Sequence, residues 1–269
     1  MQAVNPNGQL AGQVAVVTGA SRGIGEYVAK RYAMEGARVV ACARTVNPDE
    51  HFLPGTITKT VADIRAAGGE ALAVQANLGA AADRERLIEE TTNAFGPVDI
   101  LVNNAAVTYY NPVPEFRKKH FDLMLEVQVW GPYHLAQMVL PEMLARAHGR
   151  ILNVSSHAAI HPDKTVAGKG GTVYGMCKAA LERFTTGLAQ ETYGKGVGVN
   201  VISPGLVATP GAVHHNLISE ATRNRETPVE HMAEACLRLV TGDPAVMTGR
   251  IDYADDVMRE FALTAAQID

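Results

Sequence analysis

Short runs of β-branched and other apolar residues alternate with stretches of helical periodicity along most of the chain. Gln13–Thr18 (QVAVVT) predicts a first strand, and Glu26–Glu35 the helix that follows it. Ala37–Ala43 (ARVVACA) is apolar without alternation, as expected of a strand buried on both faces. The same reading places strands at Glu70–Ala76, Val98–Val102, Arg150–Val154, Gly196–Ile202 and Arg250–Tyr253. Helices fall at Ile57–Ala67, Ala82–Phe95 and Val229–Val240, and another runs from Tyr174 to about Tyr193. Glu115–Arg146 predicts one long helix, interrupted near Gly131-Pro132 and Pro141.

Alternating strands and helices imply an α/β fold: a doubly wound parallel sheet, Rossmann-like, with about seven strands and helices on both faces. Because one crossover hand dominates, the expected strand order is 3-2-1-4-5-6-7. At 269 residues with 47% hydrophobic content, the chain is expected to form a single domain, residues 1–11 being a polar tail. A formal charge of −4, with Arg117-Lys118-Lys119 as the only basic run, argues against a nucleic-acid partner. No apolar run approaches the ~18 residues of a membrane span. Met1–Leu10 lacks the apolar core of a signal peptide, so a cytoplasmic location is expected. Cys42, Cys177 and Cys236 are few and scattered, which suggests neither disulfides nor a metal site.

Two stretches carry candidate chemistry. Between the first strand and its helix lies Gly19-Ala20-Ser21-Arg22-Gly23-Ile24-Gly25. A strand, a glycine turn and a helix N-terminus form a phosphate-binding device, because backbone N–H groups can approach a pyrophosphate there. Further on, Tyr174-Gly175-Met176-Cys177-Lys178 puts a phenol and an ammonium one helical turn apart. A free phenol titrates near pH 10, and a neighbouring positive charge is expected to bring that value down into a useful range.

The spacing G-x-x-x-G-x-G, with Thr18 before it and Tyr-x-x-x-Lys downstream, resembles the short-chain dehydrogenase/reductase family from about Gly12 to Pro210. Leu53-Pro54-Gly55 and Asp252-Tyr253-Ala254-Asp255-Asp256 resemble, more faintly, the hydroxysteroid-dehydrogenase-like branch. The resemblance implies a carbonyl–alcohol oxidoreductase with a nicotinamide cofactor. It assigns Tyr174 as acid/base, Lys178 as its electrostatic partner and ribose contact, and Ser156, beside Ser155 at a strand end, as the hydroxyl that orients substrate. The family usually carries asparagine in the long helix before that strand, where it supports a proton relay; here the matching residue is Gln128.

Cofactor contacts carried over in the same way are Gly19, Ser21, Arg22, Gly23, Ile24 and Gly25 at the pyrophosphate, and Asn104 and Ala105 under the ribose. Asn77 and Leu78 would lie beside the adenine, with Asn77 where the family has aspartate. Pro204, Gly205, Val207 and Thr209 would lie by the nicotinamide carboxamide. Ala106 replaces the glycine usual after Asn103-Asn104-Ala105. Arg44 follows the second strand where an acidic residue would select NAD(H), and with Arg22 it favours NADP(H), NAD(H) being second choice. A cofactor-binding sensor without turnover is the alternative of another class.

The segment between Ser156 and Tyr174 is longer than the family norm and rich in glycine, so a mobile rim loop is expected, on which Lys164 or Lys169 steers an anionic substrate or is simply solvated. His157 and His161 have no third partner at metal-ligand spacing. Residues 210–228 are expected to form a substrate lid, with His214, His215, Asn216, Arg223 and Arg225 as its polar residues. Leu181, Phe184 and Leu188 make an apolar stripe, read either as core or as the face of a homodimer or homotetramer.

Overall fold

In the computed structural model, which describes residues 1–165, 168, 170–218 and 226–268, the chain folds around one seven-stranded parallel sheet of order 3-2-1-4-5-6-7. The strands are β1 (Val14–Thr18), β2 (Arg38–Ala43), β3 (Ala71–Gln75), β4 (Ile100–Asn103), β5 (Gly149–Val154), β6 (Val197–Ser203) and β7 (Ile251–Tyr253). The helices are α1 (Gly23–Met34), α2 (Ile57–Ala66), α3 (Ala81–Phe95), α4 (Lys118–Leu125), α5 (Gly131–Ala145), α6 (Thr172–Thr192), α7 (Pro210–His214), α8 (Val229–Thr241) and α9 (Ala254–Glu260). Among the described residues no helix is long and apolar enough to cross a membrane.

The sheet divides the core into two layers. Ala15 and Val17 of β1 face α1 and α8, whereas Val16 packs with Leu87, Leu135 and Val139 from α3 and α5. This alternation follows from the period of two along a strand. Every residue of β1, β4 and β6 is buried, and these strands are apolar save for Thr18, Asn103, Asn200 and Ser203. The order reverses between β1 and β4, which opens a crevice at the carboxyl ends of the strands.

The polar residues 1–11 are tied to the sheet-bearing body: Leu10 is fully buried, and the backbone N–H groups of Val4, Asn5 and Leu10 donate to Ala67, Met34 and Glu35 at the ends of α2 and α1. The long helix is interrupted beside Gly131-Pro132, as expected: a π turn at Glu126–Trp130 separates α4 from α5, whereas Pro141 lies within α5 without ending it. Pro132 lacks the N–H that would continue the ladder, which accords with a π turn directly before it.

A buried polar chain holds the site-bearing elements in register. Asn103 Nδ2 at the end of β4 donates to Asn153 Oδ1 in β5 (2.9 Å), and Asn153 Nδ2 donates to Thr185 Oγ1 in α6 (2.8 Å). Thr185 Oγ1 in turn donates to Leu181 O. Removing the middle amide leaves Asn103 Nδ2 buried without its acceptor, at about 1–3 kcal/mol, and takes from Thr185 Oγ1 its donor but not its bond to Leu181 O. Asn153→Ala is expected to lower the unfolding free energy by about 2–3 kcal/mol in urea titration; a loss under about 0.5 kcal/mol would show that the chain is not a tie.

Candidate active site

Helix α6 positions the Tyr174–Lys178 pair. Lys178 is 3% exposed, its Nζ donates to Val154 O at the end of β5 (2.8 Å), and the ammonium lies 5.6 Å from the centroid of the Tyr174 ring. Ser156 follows β5 and caps the short 3-10 turn His157–Ala159, accepting from Ala158 N at 3.2 Å. Its hydroxyl also acts on the Tyr174 phenol as a hydrogen-bond partner. The structure therefore brings Ser156, Tyr174 and Lys178 together.

The expected electrostatics do not follow. Burial pushes the Tyr174 phenol up to about 12, which the Ser156 hydroxyl opposes and the neighbouring Tyr110 reinforces. Burial pushes Lys178 down to about 8, against the acidic influence of Cys177 and Glu182. The expectation that Lys178 brings the phenol down is thus corrected for the protein without cofactor. Withdrawing the phenolate from water costs more than the amine returns. At neutral pH the pair is a protonated phenol beside an ammonium.

Gln128 lies in the π turn and is 1% exposed. Its Nε2 donates to Val107 O (2.8 Å), while Oε1 is buried without a hydrogen-bond partner. One end of the amide therefore fixes the loop after β4, and the other is a free acceptor.

The glycine turn closes at the other side of the crevice. Gly19 and Gly23 have φ of 69° and 55°, the left-handed region that favours glycine. A Cβ on Gly25 would lie 2.4 Å from Gly19 O and 2.5 Å from Asn104 Nδ2, so only glycine lets α1 begin here. Asn104 Nδ2 donates to Thr18 O (2.8 Å), and the N–H groups of Asn104 and Ala105 both donate to Thr18 Oγ1. Ser21 is buried and Ile24 half-buried in the same turn.

The Arg22 guanidinium reaches His51 Nδ1 (3.0 Å), Thr45 Oγ1 (3.1 Å) and Gly55 O (3.0 Å), with Nε buried and unpartnered. Arg44 is exposed nearby and, after burial, its charge helps lower the Arg22 pKa. With Gln75, Asn77, Asp83 and Arg86 it lines a cavity of about 350 Å³. Asn77 Oδ1 accepts from Gly79 N (3.1 Å), so within this loop its carbonyl is already engaged, while Leu78 is buried. After β6, Pro204 and Gly205 lead to buried Val207 and to Thr209, which caps α7 by accepting from Ala212 N. A Cβ on Gly23 would meet Thr209 Cγ2 at 2.9 Å, so this segment rests on the glycine turn.

Aromatic rings join the two lips of the crevice. His51 stacks on Phe52 (4.4 Å between centroids), Phe52 meets His214 of α7 (4.7 Å), His214 meets His215, and His215 stands edge-on to Tyr110 (5.3 Å). Tyr110 stands edge-on to Tyr174 at 5.9 Å. Of the rim loop, a Cβ on Gly170 would clash with the Asn111 backbone, which places that residue against the loop after β4. Lys164 is exposed; Lys169, Arg223 and Arg225 lie outside the described residues. In the α6 stripe Leu181 and Leu188 are core, while Phe184 is partly buried against Tyr133 (5.6 Å).

The sequence reading missed Tyr110, Phe52 and Glu182. Tyr110 and Phe52 lie in loops without periodicity, whereas Glu182 is four residues past Lys178 and helical spacing would have put it on that face. Since Lys178 has a folded value near 8 against 10.5 when free, the unfolded chain holds more protons between those values, so stability should rise with pH across that window. Lys178→Met is expected to abolish a rise on the order of 1–3 kcal/mol, read as the difference between the two proteins in denaturant titrations. Equal pH profiles would mean that Lys178 is not desolvated.

The short chain dehydrogenase family model matches residues 13–217. The hydroxysteroid dehydrogenase-like protein 2 of Danio rerio is 32% identical over 253 residues, covering 94% of this chain but 59% of that protein. The 3-oxoacyl-[acyl-carrier-protein] reductase of Escherichia coli is 29% identical over 244 residues, covering 88% of this chain and 93% of the reductase. Among solved structures, a Beutenbergia cavernae protein assigned as an NAD(P)-dependent gluconate 5-dehydrogenase, with NADP bound at low occupancy, superposes with a TM-score of 0.78. It is 30% identical, and the match covers 93% of this chain and 97% of that one. With the strand order, the glycine turn and the Ser–Tyr–Lys cluster already in place, the match over residues 13–217 makes this chain a member of the short-chain dehydrogenase family.

Proposed function

We propose that the chain is a cytoplasmic oxidoreductase that interconverts a carbonyl and a secondary alcohol by hydride transfer, with NADP(H) as cofactor. The observation that carries this reading is the meeting of the Ser156 and Tyr174 hydroxyls above a buried Lys178, at the carboxyl edge of the sheet and across from the glycine turn. The residues present fit a dinucleotide. Gly19 and Gly23 have the left-handed backbone form a pyrophosphate cradle needs, and a Cβ on Gly25 would collide with Gly19 O at 2.4 Å, so only glycine gives the turn this shape. Arg22 carries an unpartnered buried Nε beside exposed Arg44, a pair of guanidinium groups suited to a 2′-phosphate.

In this reading Gly19, Ser21, Arg22, Gly23, Ile24 and Gly25 hold the pyrophosphate side, and Asn77 and Leu78 the adenine. Asn104, Ala105, Tyr174 and Lys178 hold the ribose, and Pro204, Gly205, Val207 and Thr209 the carboxamide. When bound, the nicotinamide supplies or accepts the hydride. In carbonyl reduction Tyr174, kept protonated by burial, passes its proton to the substrate oxygen as charge builds there, and Ser156 donates a hydrogen bond to the same atom. In alcohol oxidation Tyr174 takes the proton instead, which requires positive charge beyond Lys178 alone. Gln128 serves as the supporting fourth residue, its free Oε1 offering the acceptor of a proton relay. A second copy of the chain would seat on α5 and α6, where Trp130 and Tyr133 are exposed and stacked and Phe184 adjoins them.

Tyr174→Phe is expected to lower kcat by about 10³-fold or more with NADPH and a ketone panel, while cofactor affinity stays within a few-fold. Retained turnover would refute the acid/base role. In the same assay kcat/KM with NADPH should exceed that with NADH, and Arg44→Asp should narrow or invert the ratio; a preference for NADH in the unmodified protein would overturn the cofactor assignment.

A further inference from the structure

Helix α6 carries a third titratable side chain on the face of Tyr174 and Lys178. Glu182 lies one turn beyond Lys178, and its Oε1 accepts a 2.7 Å hydrogen bond from Ser155 Oγ. Ser155 is 2% exposed, and its N–H donates to Ile202 O of β6 (2.8 Å). The residue before it, Val154, accepts from Lys178 Nζ. Two successive residues at the end of β5 are thus tied to α6, one by the ammonium and one by the carboxylate, and the next residue is Ser156.

Charge gives the same arrangement a second consequence. A buried ammonium whose hydrogen bond goes to a neutral carbonyl is costly unless a counter-charge stands near it. Against burial, Cys177 and, after it, Glu182 one helical turn beyond Lys178 favour the ammonium, and Glu182 is the carboxylate of the two. The other titratable groups around this point are Cys177 and Tyr174 on α6, and Tyr253 on β7, itself influenced by Glu182 and Asp256. Among the described residues none of these is a second carboxylate acting on the ammonium.

We infer that Glu182 is a positioning residue of this site: its carboxylate pins the Ser155–Ser156 end of β5 to α6 and is the fixed counter-charge that keeps the Lys178 ammonium protonated. The catalytic part of this inference rests on the function proposed above, but the counter-charge part does not.

Two substitutions separate the tasks. Glu182→Gln keeps an acceptor for Ser155 and removes the charge; Ser155→Ala removes the hydrogen bond and keeps the charge. In the full chain without cofactor, NMR titration of ¹³Cε-labelled lysine, with the Lys178 signal identified by its loss in Lys178→Met, reads the protonation directly. Glu182→Gln is expected to lower the Lys178 midpoint by about half a unit or more, and Ser155→Ala to leave it in place. With NADPH and the fastest-reduced of ethyl acetoacetate, cyclohexanone and benzaldehyde, Ser155→Ala should lower kcat by about tenfold with the cofactor KM within about twofold. Glu182→Gln should move the alkaline limb of the kcat profile down by the same amount as the NMR midpoint. An unmoved midpoint in Glu182→Gln overturns the counter-charge, and unchanged kcat in Ser155→Ala overturns the pin. If the unmodified protein reduces none of the three ketones and aldehydes, the proposed function and the pin fall together, while the titration still decides the counter-charge.

Discussion

The structure turns on a positive charge kept almost out of water. Lys178 is 3% exposed, and one hydrogen bond, to the Val154 carbonyl, fixes where its ammonium stands. Everything chemically interesting lies within a turn of it: the Tyr174 ring above, Ser156 two residues past its acceptor, and Glu182 one turn below. Burial sets the balance among them. It pushes the phenol up and the amine down, so the two groups drift toward neutrality rather than toward an ion pair. Without cofactor the Tyr174 phenol thus stays protonated beside the ammonium.

The sheet makes this arrangement stiff. Parallel pairing brings the ends of β4, β5 and β6 to one edge, and the Asn103–Asn153–Thr185 chain ties two of them to α6 through the interior. On the opposite lip the glycine turn is pinned from behind by Asn104 and from the front by Thr209. The ring series from His51 through Phe52, His214, His215 and Tyr110 to Tyr174 spans the distance between the lips. The end of β5 and helix α6 thus carry Ser156, Tyr174 and Lys178, and loops with polar and aromatic residues carry the boundary.

What the sequence made legible follows from how local each signal is. The strands of the central sheet and their order were readable because they are buried on both faces and because crossover handedness leaves few arrangements. That Tyr174 and Lys178 share a helical face was readable because the spacing is local, whereas Ser156 and the roles given to all three came from the family resemblance. An interruption near Gly131-Pro132 was legible too, but Pro141 pointed to a second one that α5 does not show, and the π form of the turn at Glu126–Trp130, which has no composition of its own, was not. Nor was the burial of Leu10, which depends on the distant ends of α1 and α2. The sign of the Tyr174 shift was missed for the same reason: proximity of Lys178 can be counted along a helix, but desolvation comes from the packing of Tyr174 among residues such as Met124 and Val173, which only the fold reveals.

The most direct test of this account is a pH titration of phenolate absorbance in the protein without cofactor, taken as the difference between the unmodified chain and Tyr174→Phe. If burial governs the site, the difference spectrum shows no phenolate below about pH 10. A phenolate signal belonging to Tyr174 near neutral pH would show that the ammonium outweighs burial, and would contradict the account.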